Sequence, residues 1–133
     1  MDIFEQVKAL ELPERQYVVF GAGPLAAHGI RDTADVDLFV TTALYEELKA
    51  SGWAEMGTRS SGLHLSSGIF ETDETWVYGD YSPTVEELVE AADIIDDVPF
   101  APLTEVLKWK RALGRPKDVQ DVALIEQHLR MRS

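Results

Sequence analysis

The sequence predicts an α/β (α+β) fold, with a small mixed sheet flanked by helices and two closing C-terminal helices. Residues 16–20 and 35–40 are apolar runs rich in β-branched and aromatic side chains, which are typical of buried strands. Segments with helical periodicity alternate with these runs and fill the C-terminal part of the chain. At 133 residues and 45% hydrophobic, the chain can form one ordinary core. Residues 1–133 are therefore expected to form a single domain.

Helix-capping residues and residues that interrupt helices and strands predict the first elements of the chain. Asp2 can cap a short helix that extends to Leu10, and the strand 16–20 follows it. Residues 21–24, Gly-Ala-Gly-Pro, interrupt the apolar run and lead into a brief helix over 25–28. The pattern predicts strand, tight turn and helix.

The second strand is the best-marked element of the sequence. Residues 35–40 alternate at first and then become continuously apolar, which predicts a central strand whose beginning reaches a solvent-filled cleft. Thr41 and Thr42 can cap a helix through Ala50. Gly, Ser and Thr punctuate residues 53–78, so we expect a meander of short strands there.

The chain ends in helices. A capping box at Thr84 and Glu87 predicts a helix to about Ala92, and extended segments follow at 94–95 and 98–100. Gly114 should stop one closing helix, and Pro116 should open the last one. The apolar residues expected to face inward from that last helix are Val119, Val122, Ile125 and Leu129.

Composition narrows the function classes. A net charge of -12, from 24 acidic and 12 basic residues, disfavours broad nucleic-acid binding and suits a basic protein partner. Because cysteine is absent, metal ligands must be oxygen or imidazole, which favours hard cations. No apolar run approaches the roughly 20 residues that span a bilayer, and the chain opens acidic. We therefore expect no membrane association and a cytoplasmic location.

Asp35 and Asp37 are the first candidates for chemistry. Carboxylates at i and i+2 of a strand share one face, with Cα atoms about 7 Å apart. Their oxygens can converge on one or two Mg²⁺ ions, provided that a third carboxylate arrives from a neighbouring strand. The alternative is a pair of solvated charges at the end of a strand.

The turn before these aspartates is the second candidate. The small residues Gly21, Ala22 and Gly23 would let backbone N–H groups approach phosphate oxygens without steric clashes. The surrounding residues match neither a P-loop nor a dinucleotide-binding fingerprint. A simple structural turn is the alternative.

Taken together, residues 20–26, 28–31 and 33–40 resemble the signature of the DNA polymerase beta-like nucleotidyltransferase superfamily. Residues 109–118 and Asp121 are similar to the closing helices of its small bacterial stand-alone members. The resemblance implies a Mg²⁺-dependent enzyme that moves a nucleoside monophosphate from a nucleoside triphosphate to a hydroxyl. The acceptor would be a small molecule, a protein or an RNA end.

By position, the resemblance implies that Asp35 and Asp37 are catalytic and bind two Mg²⁺ ions. The third carboxylate of the family lies on a later strand, where Glu71 is the first candidate and Asp73 the second. Glu71 would bind one metal or deprotonate the acceptor. Ala22 stands where many members have a serine, so one side-chain hydrogen bond to a phosphate is missing.

The resemblance also implies a set of nucleotide-binding residues. Asp118 and Asp121 could orient the cations among them, although a helix cap and surface ion pairs are equally compatible with the pattern. For Arg31, the alternative is pairing with Asp32 or Asp35. The nucleotide-binding candidates are Gly21, Ala22, Gly23, Arg31, Lys110, Arg115 and Lys117.

A second function remains open. Ala22, the undecided third carboxylate and the small size are also compatible with a catalytically silent nucleotidyltransferase fold. Such a protein would act as a nucleotide sensor, or as the partner-binding component of a toxin–antitoxin-like system. Its acidic surface would then meet a basic partner.

Overall fold

The computed structural model describes residues 2–58 and 62–132, and the chain folds there as a mixed α/β (α+β) structure. The predicted fold class is confirmed at this level. The helices are α1 (Ile3–Lys8), α2 (Gly23–Ala27), α3 (Thr42–Ala50), α4 (Val85–Ala91), α5 (Leu103–Leu113) and α6 (Pro116–Arg132). The strands are β1 (Tyr17–Phe20), β2 (Val36–Val40), β3 (Ala54–Thr58), β4 (Gly62–Ser67), β5 (Phe70–Asp73), β6 (Asp93–Ile95) and β7 (Val98–Phe100).

All the strands of the described residues join one sheet, in the order β3-β4-β5-β2-β1-β7-β6. The predicted central position of β2 is confirmed, since it lies between β1, which is antiparallel to it, and β5, which is parallel to it. The meander is also confirmed, because β3, β4 and β5 pair in succession and antiparallel. Residues 59–61, inside the segment predicted to form the meander, lie outside the described residues.

Several helix boundaries form as the sequence predicts. The Asp2 side chain accepts hydrogen bonds from the backbone N–H of Phe4 at 3.0 Å and of Glu5 at 3.2 Å. Thr84 and Glu87 form the reciprocal capping box at the start of α4. Gly114 ends α5 in the left-handed conformation, with φ 61°. Capping residues close in sequence therefore determine these helix ends.

The segment before the closing helices contains a hairpin that extends the sheet. Asp96 and Asp97 both adopt positive φ, 50° and 65°, and connect β6 to the antiparallel β7. Strand β7 then pairs in parallel with β1 at Val19 and Phe100. The sequence predicted extended backbone at 94–95 and 98–100, but the pairing with β1 is a long-range contact that it did not reveal.

Two apolar clusters lie on opposite faces of the sheet. Val19 and Leu38 belong to one cluster, with α1 and α3. Phe20 and Phe39 belong to the other, which includes residues of α4, α5 and α6. Trp76 stacks on Phe20 with ring centroids 4.4 Å apart. By the two-residue period of β2, Asp35 and Asp37 share the face of Phe39 and so point toward the closing helices.

The inward face of α6 differs from the prediction. Val119, expected in the core, is 65% exposed, while Ile125 is fully buried as expected. Asp118 and Asp121 are buried in its place, at 0% and 6% exposure. Helix α6 turns these carboxylates inward because Lys110 and Arg31 pair with them there. No helix of the described part is long and apolar enough to cross a membrane.

Candidate functional site

Four carboxylates lie on one face of the two central parallel strands, and we call them the carboxylate face: Asp35, Asp37, Glu71 and Asp73. Asp37 on β2 is in register with Glu71 on β5, and Phe39 is in register with Asp73. Register partners in neighbouring strands project to the same side of a sheet. The structure therefore brings both candidates for the third carboxylate to the side of Asp37. Glu71 lies directly beside Asp37, and Asp73 lies two residues further along β5.

The carboxylate face is short of positive charge. Burial, followed by the charges of Glu71, Asp73 and Asp35, raises the pKa of Asp37 to about 6, and the charge of Lys110 opposes this rise. Burial also raises the pKa of Asp73 to about 6, although His64 acts in the opposite direction. Ionising these groups together is unfavourable without an added cation. Carboxylate oxygens are the ligand type that Mg²⁺ and Ca²⁺ prefer.

The glycine turn closes over Asp37. Gly21 has φ 60° and is buried, and a Cβ atom there would lie 2.9 Å from the Asp37 Cβ and still closer to its Oδ2. Only glycine fits this conformation and this space. Gly23 has a different role, since a Cβ there would overlap the Val19 side chain and approach Ile3 Cδ1 at 3.2 Å. Gly23 thus lets α2 pack against β1 and α1.

A cleft of about 690 Å³ separates the start of β2 from α5 and α6. It brings together most of the nucleotide-binding residues predicted from the sequence, although Gly21, Gly23 and Glu71 are not in its lining. The lining residues are Ala22, Arg31, Thr33, Asp35, Asp37, Trp109, Lys110, Arg115, Lys117, Gln120, Asp121 and Leu124. Sequence reasoning missed Thr33, Trp109, Gln120 and Leu124. Gln120 and Leu124 could have been found from Lys117, because spacings of i+3 and i+7 share one helical face.

Five charged side chains form a continuous ion-pair network at one side of the cleft. Arg31 donates from Nε and Nη2 to the two carboxylate oxygens of Asp121, both at 2.8 Å. Lys110 Nζ lies 3.0 Å from Asp121 Oδ2 and donates to Asp118 Oδ1 at 3.1 Å. Arg115 Nε donates to Asp118 Oδ2 at 2.6 Å. The network joins the link before β2 to both closing helices.

Three side chains of the ion-pair network are buried, which indicates that the network has a structural role. The side chains of Lys110, Asp118 and Asp121 are 6%, 0% and 8% exposed. Burial opposes the ionisation of Asp118, yet hydrogen bonds from Arg115 and Lys110 lower its pKa to about 2. Burial likewise opposes ionisation of Asp121, but Arg31 and Lys110 lower its pKa. The orienting role considered for both aspartates fits these contacts better than a surface ion pair does.

The carboxylate face is not a preassembled metal site. Within residues 2–58 and 62–132, no three His, Asp or Glu side chains stand close enough together to hold a metal ion. Mg²⁺ usually keeps several waters and binds through one or two carboxylates plus the phosphates of its substrate. The oxygen donors of Asp35 and Asp37 suit that mode, in which the ligand completes the coordination shell.

No protein-family model matches the chain, and no curated protein matches it either.

Proposed function

We propose that the chain is a Mg²⁺-dependent nucleotidyltransferase with the polymerase beta-like fold. It would move a nucleoside monophosphate from a nucleoside triphosphate to a hydroxyl on a small molecule, a protein or an RNA end. One observation carries the proposal: Asp37 is enclosed by the Gly21 turn, lies beside Glu71 and faces a cleft lined by cations. This arrangement can bind a metal-bound polyphosphate.

The carboxylate face suits two Mg²⁺ ions in its chemistry. All its donors are oxygens, and burial, followed by the unneutralised charge of the neighbouring carboxylates, raises the pKa of Asp37. Asp35, Asp37 and Glu71 would hold the ions. When bound, Mg²⁺ neutralises charge on the carboxylates and on the phosphates.

The chain's own residues have distinct parts in the proposed reaction. The acceptor hydroxyl oxygen forms a bond to the α-phosphorus, the bond from that phosphorus to the bridging oxygen breaks, and pyrophosphate leaves. Glu71 is exposed beside Asp37, where it either completes metal binding or takes the acceptor proton. The ion-pair network holds α5 and α6 beside the strands, so that the cleft keeps its shape.

Two observations favour a second candidate, a catalytically silent nucleotide sensor or partner-binding component of a toxin–antitoxin-like system. Ala22 lines the cleft without a hydroxyl that could hold a phosphate. The described residues also contain no preassembled group of three metal ligands. In this case nucleotide would bind without transfer, and the charge of -12 would meet a basic protein partner.

Calorimetric titration tests the first proposal. Each of the four ribonucleoside triphosphates is titrated with Mg²⁺ into wild type and into the double variant Asp35→Ala with Asp37→Ala. We expect wild type to bind and the double variant to lose most of the affinity. The double variant Glu46→Ala with Glu47→Ala is the matched control, because it removes two exposed carboxylates on α3.

The outcomes separate the candidates. If wild type binds no triphosphate, or if the Asp35 and Asp37 variant binds as well as wild type, the site assignment is wrong. Transfer of label from an α-labelled triphosphate identifies the enzyme. Binding without transfer, together with a stable complex with a basic partner protein, identifies the silent form.

A further inference from the structure

Four cationic side chains line the cleft, and three of them already have carboxylate partners. Arg31 is held by Asp121, and Arg115 is held by Asp118. Lys110 lies between the same two aspartates, at 3.1 and 3.0 Å. The charge of these cations is largely balanced within the protein, so a phosphate would have to compete with buried ion pairs for them.

Lys117 is the exception among the cations that line the cleft. It is exposed on the first turn of α6, and it has no ion pair with any residue of the described ranges 2–58 and 62–132. Gln120 and Leu124 continue the cleft-lining face of α6 from Lys117. Its ammonium group can therefore turn toward a ligand without breaking an ion pair with the described residues.

On the opposite side of the cleft, two carboxylates lack partners among the described residues. The side chains of Asp35 and Asp37 have no hydrogen bond or salt bridge to any residue that the structure describes. A ligand that satisfies both sides must offer a cation to the aspartates and an anion to Lys117. A phosphate chain that carries a divalent cation has this charge pattern.

We propose that Lys117 is the phosphate-binding residue of the cleft. It contacts the non-bridging oxygens of a polyphosphate whose divalent cation is bound at Asp35 and Asp37. The ion-pair network shapes the cleft without giving up its cations to the ligand. The assignment of these phosphates to a nucleotide rests on the proposed function. Recognition of the phosphate chain itself does not need a base or a sugar.

The test measures the affinity for two probes, magnesium–ATP and magnesium–tripolyphosphate, by calorimetry. We expect Lys117→Ala to weaken binding of both about 10- to 100-fold, as for a lost hydrogen bond to a charged group. Lys117→Arg should stay within a few-fold of wild type because it keeps the charge. Lys108→Ala is the matched control and should bind like wild type, since Lys108 is exposed on α5, pairs with Glu105 and lies outside the cleft lining.

The results distinguish this inference from the proposed function. Wild-type affinity in Lys117→Ala for both probes, with an unchanged melting temperature, overturns the inference. Binding of tripolyphosphate that depends on Lys117, without binding of any nucleoside triphosphate, supports the inference and contradicts the proposed function. If wild type binds neither probe, the inference is wrong, and the titrations with the other three ribonucleoside triphosphates decide the proposed function.

Discussion

Two acidic groups beside the same cleft have opposite electrostatics. On the carboxylate face, burial and neighbouring carboxylates raise the pKa of Asp37 to about 6. In the ion-pair network, Asp118 is 0% exposed and burial opposes its ionisation, yet Arg115 and Lys110 lower its pKa to about 2. The difference lies in the partners, since the fold supplies cations to the closing helices and few to the central strands. The negative charge of the carboxylate face is thereby left largely unbalanced by the residues that the structure describes.

The opposite shifts have opposite consequences for stability. A carboxyl group whose pKa falls on folding stabilises the native state when it is ionised. A carboxyl group whose pKa rises on folding destabilises the native state increasingly above its unfolded pKa, and fully above its folded pKa. Replacing aspartate by asparagine should therefore destabilise the fold at Asp118 and stabilise it at Asp37. The same chemical change thus tests both regions.

The largest effect is expected for Asp118→Asn. The substitution removes the carboxylate that holds Arg115 and the buried Lys110, and breaking a buried pair costs about 3 kcal/mol or more. Urea unfolding at pH 7 measures the loss. Glu126→Gln is the control, because Glu126 faces Arg111 at 3.5 Å in a solvent-exposed pair worth about 0–1 kcal/mol. Equal stabilities of the two variants would show that the network is not structural.

The pH dependence of the same variant gives a second check. The stabilisation from ionised Asp118 is complete above its unfolded pKa, close to 4, and is lost as the pH falls through the folded pKa of about 2. The stability difference between wild type and Asp118→Asn should therefore shrink between about pH 4 and pH 2. A difference that is constant over this range would assign the effect to packing instead of charge.

The ion-pair network could not be predicted from the sequence. The apolar period of α6 predicts that Val119 faces inward, and it leaves Asp118 and Asp121 equally compatible with orienting cations, with a helix cap and with surface ion pairs. Their burial depends on Lys110 and Arg31, one on another helix and one 90 positions away from Asp121. Such pairing is invisible to a helical period. It becomes visible only when the sheet has brought the helices together.

More of the carboxylate face than of the ion-pair network could be predicted from the sequence. The period of a strand was enough to put Asp35 and Asp37 on one side, and the apolar residues after them indicated the central position of β2. The choice between Glu71 and Asp73 could not be made, because residues two apart on β5 share a face. Strand register, which places Glu71 beside Asp37, is a long-range property.

Gly21→Ala should have an intermediate effect and tests how tightly Asp37 is enclosed. The added Cβ combines a left-handed backbone with an overlap on the Asp37 carboxylate, and we expect a loss of about 2–3 kcal/mol. Gly29→Ala is the matched control. Gly29 has a similar φ of 69°, but a Cβ there would have no atom within 4 Å, so only the backbone cost of about 1 kcal/mol remains. Equal losses would mean that the turn leaves space above Asp37.

The smallest effect, and the one of opposite sign, is expected for Asp37→Asn. Removing the charge should stabilise the protein by about 1–2 kcal/mol at pH 8 without Mg²⁺, a value reduced from the full pKa shift because the side chain is partly exposed. The cost of ionising folded Asp37 accumulates between the unfolded pKa, close to 4, and the folded pKa of about 6, and it stays constant above that. The gain should therefore build up over this range and vanish below it. Urea unfolding at pH 8, 6 and 4 measures the trend, with Asp80→Asn, on an exposed turn, as a control expected within about 0.5 kcal/mol of wild type. A loss of stability at pH 8 would mean that Asp37, like Asp118, is held by internal cations, and the contrast between the two regions would disappear.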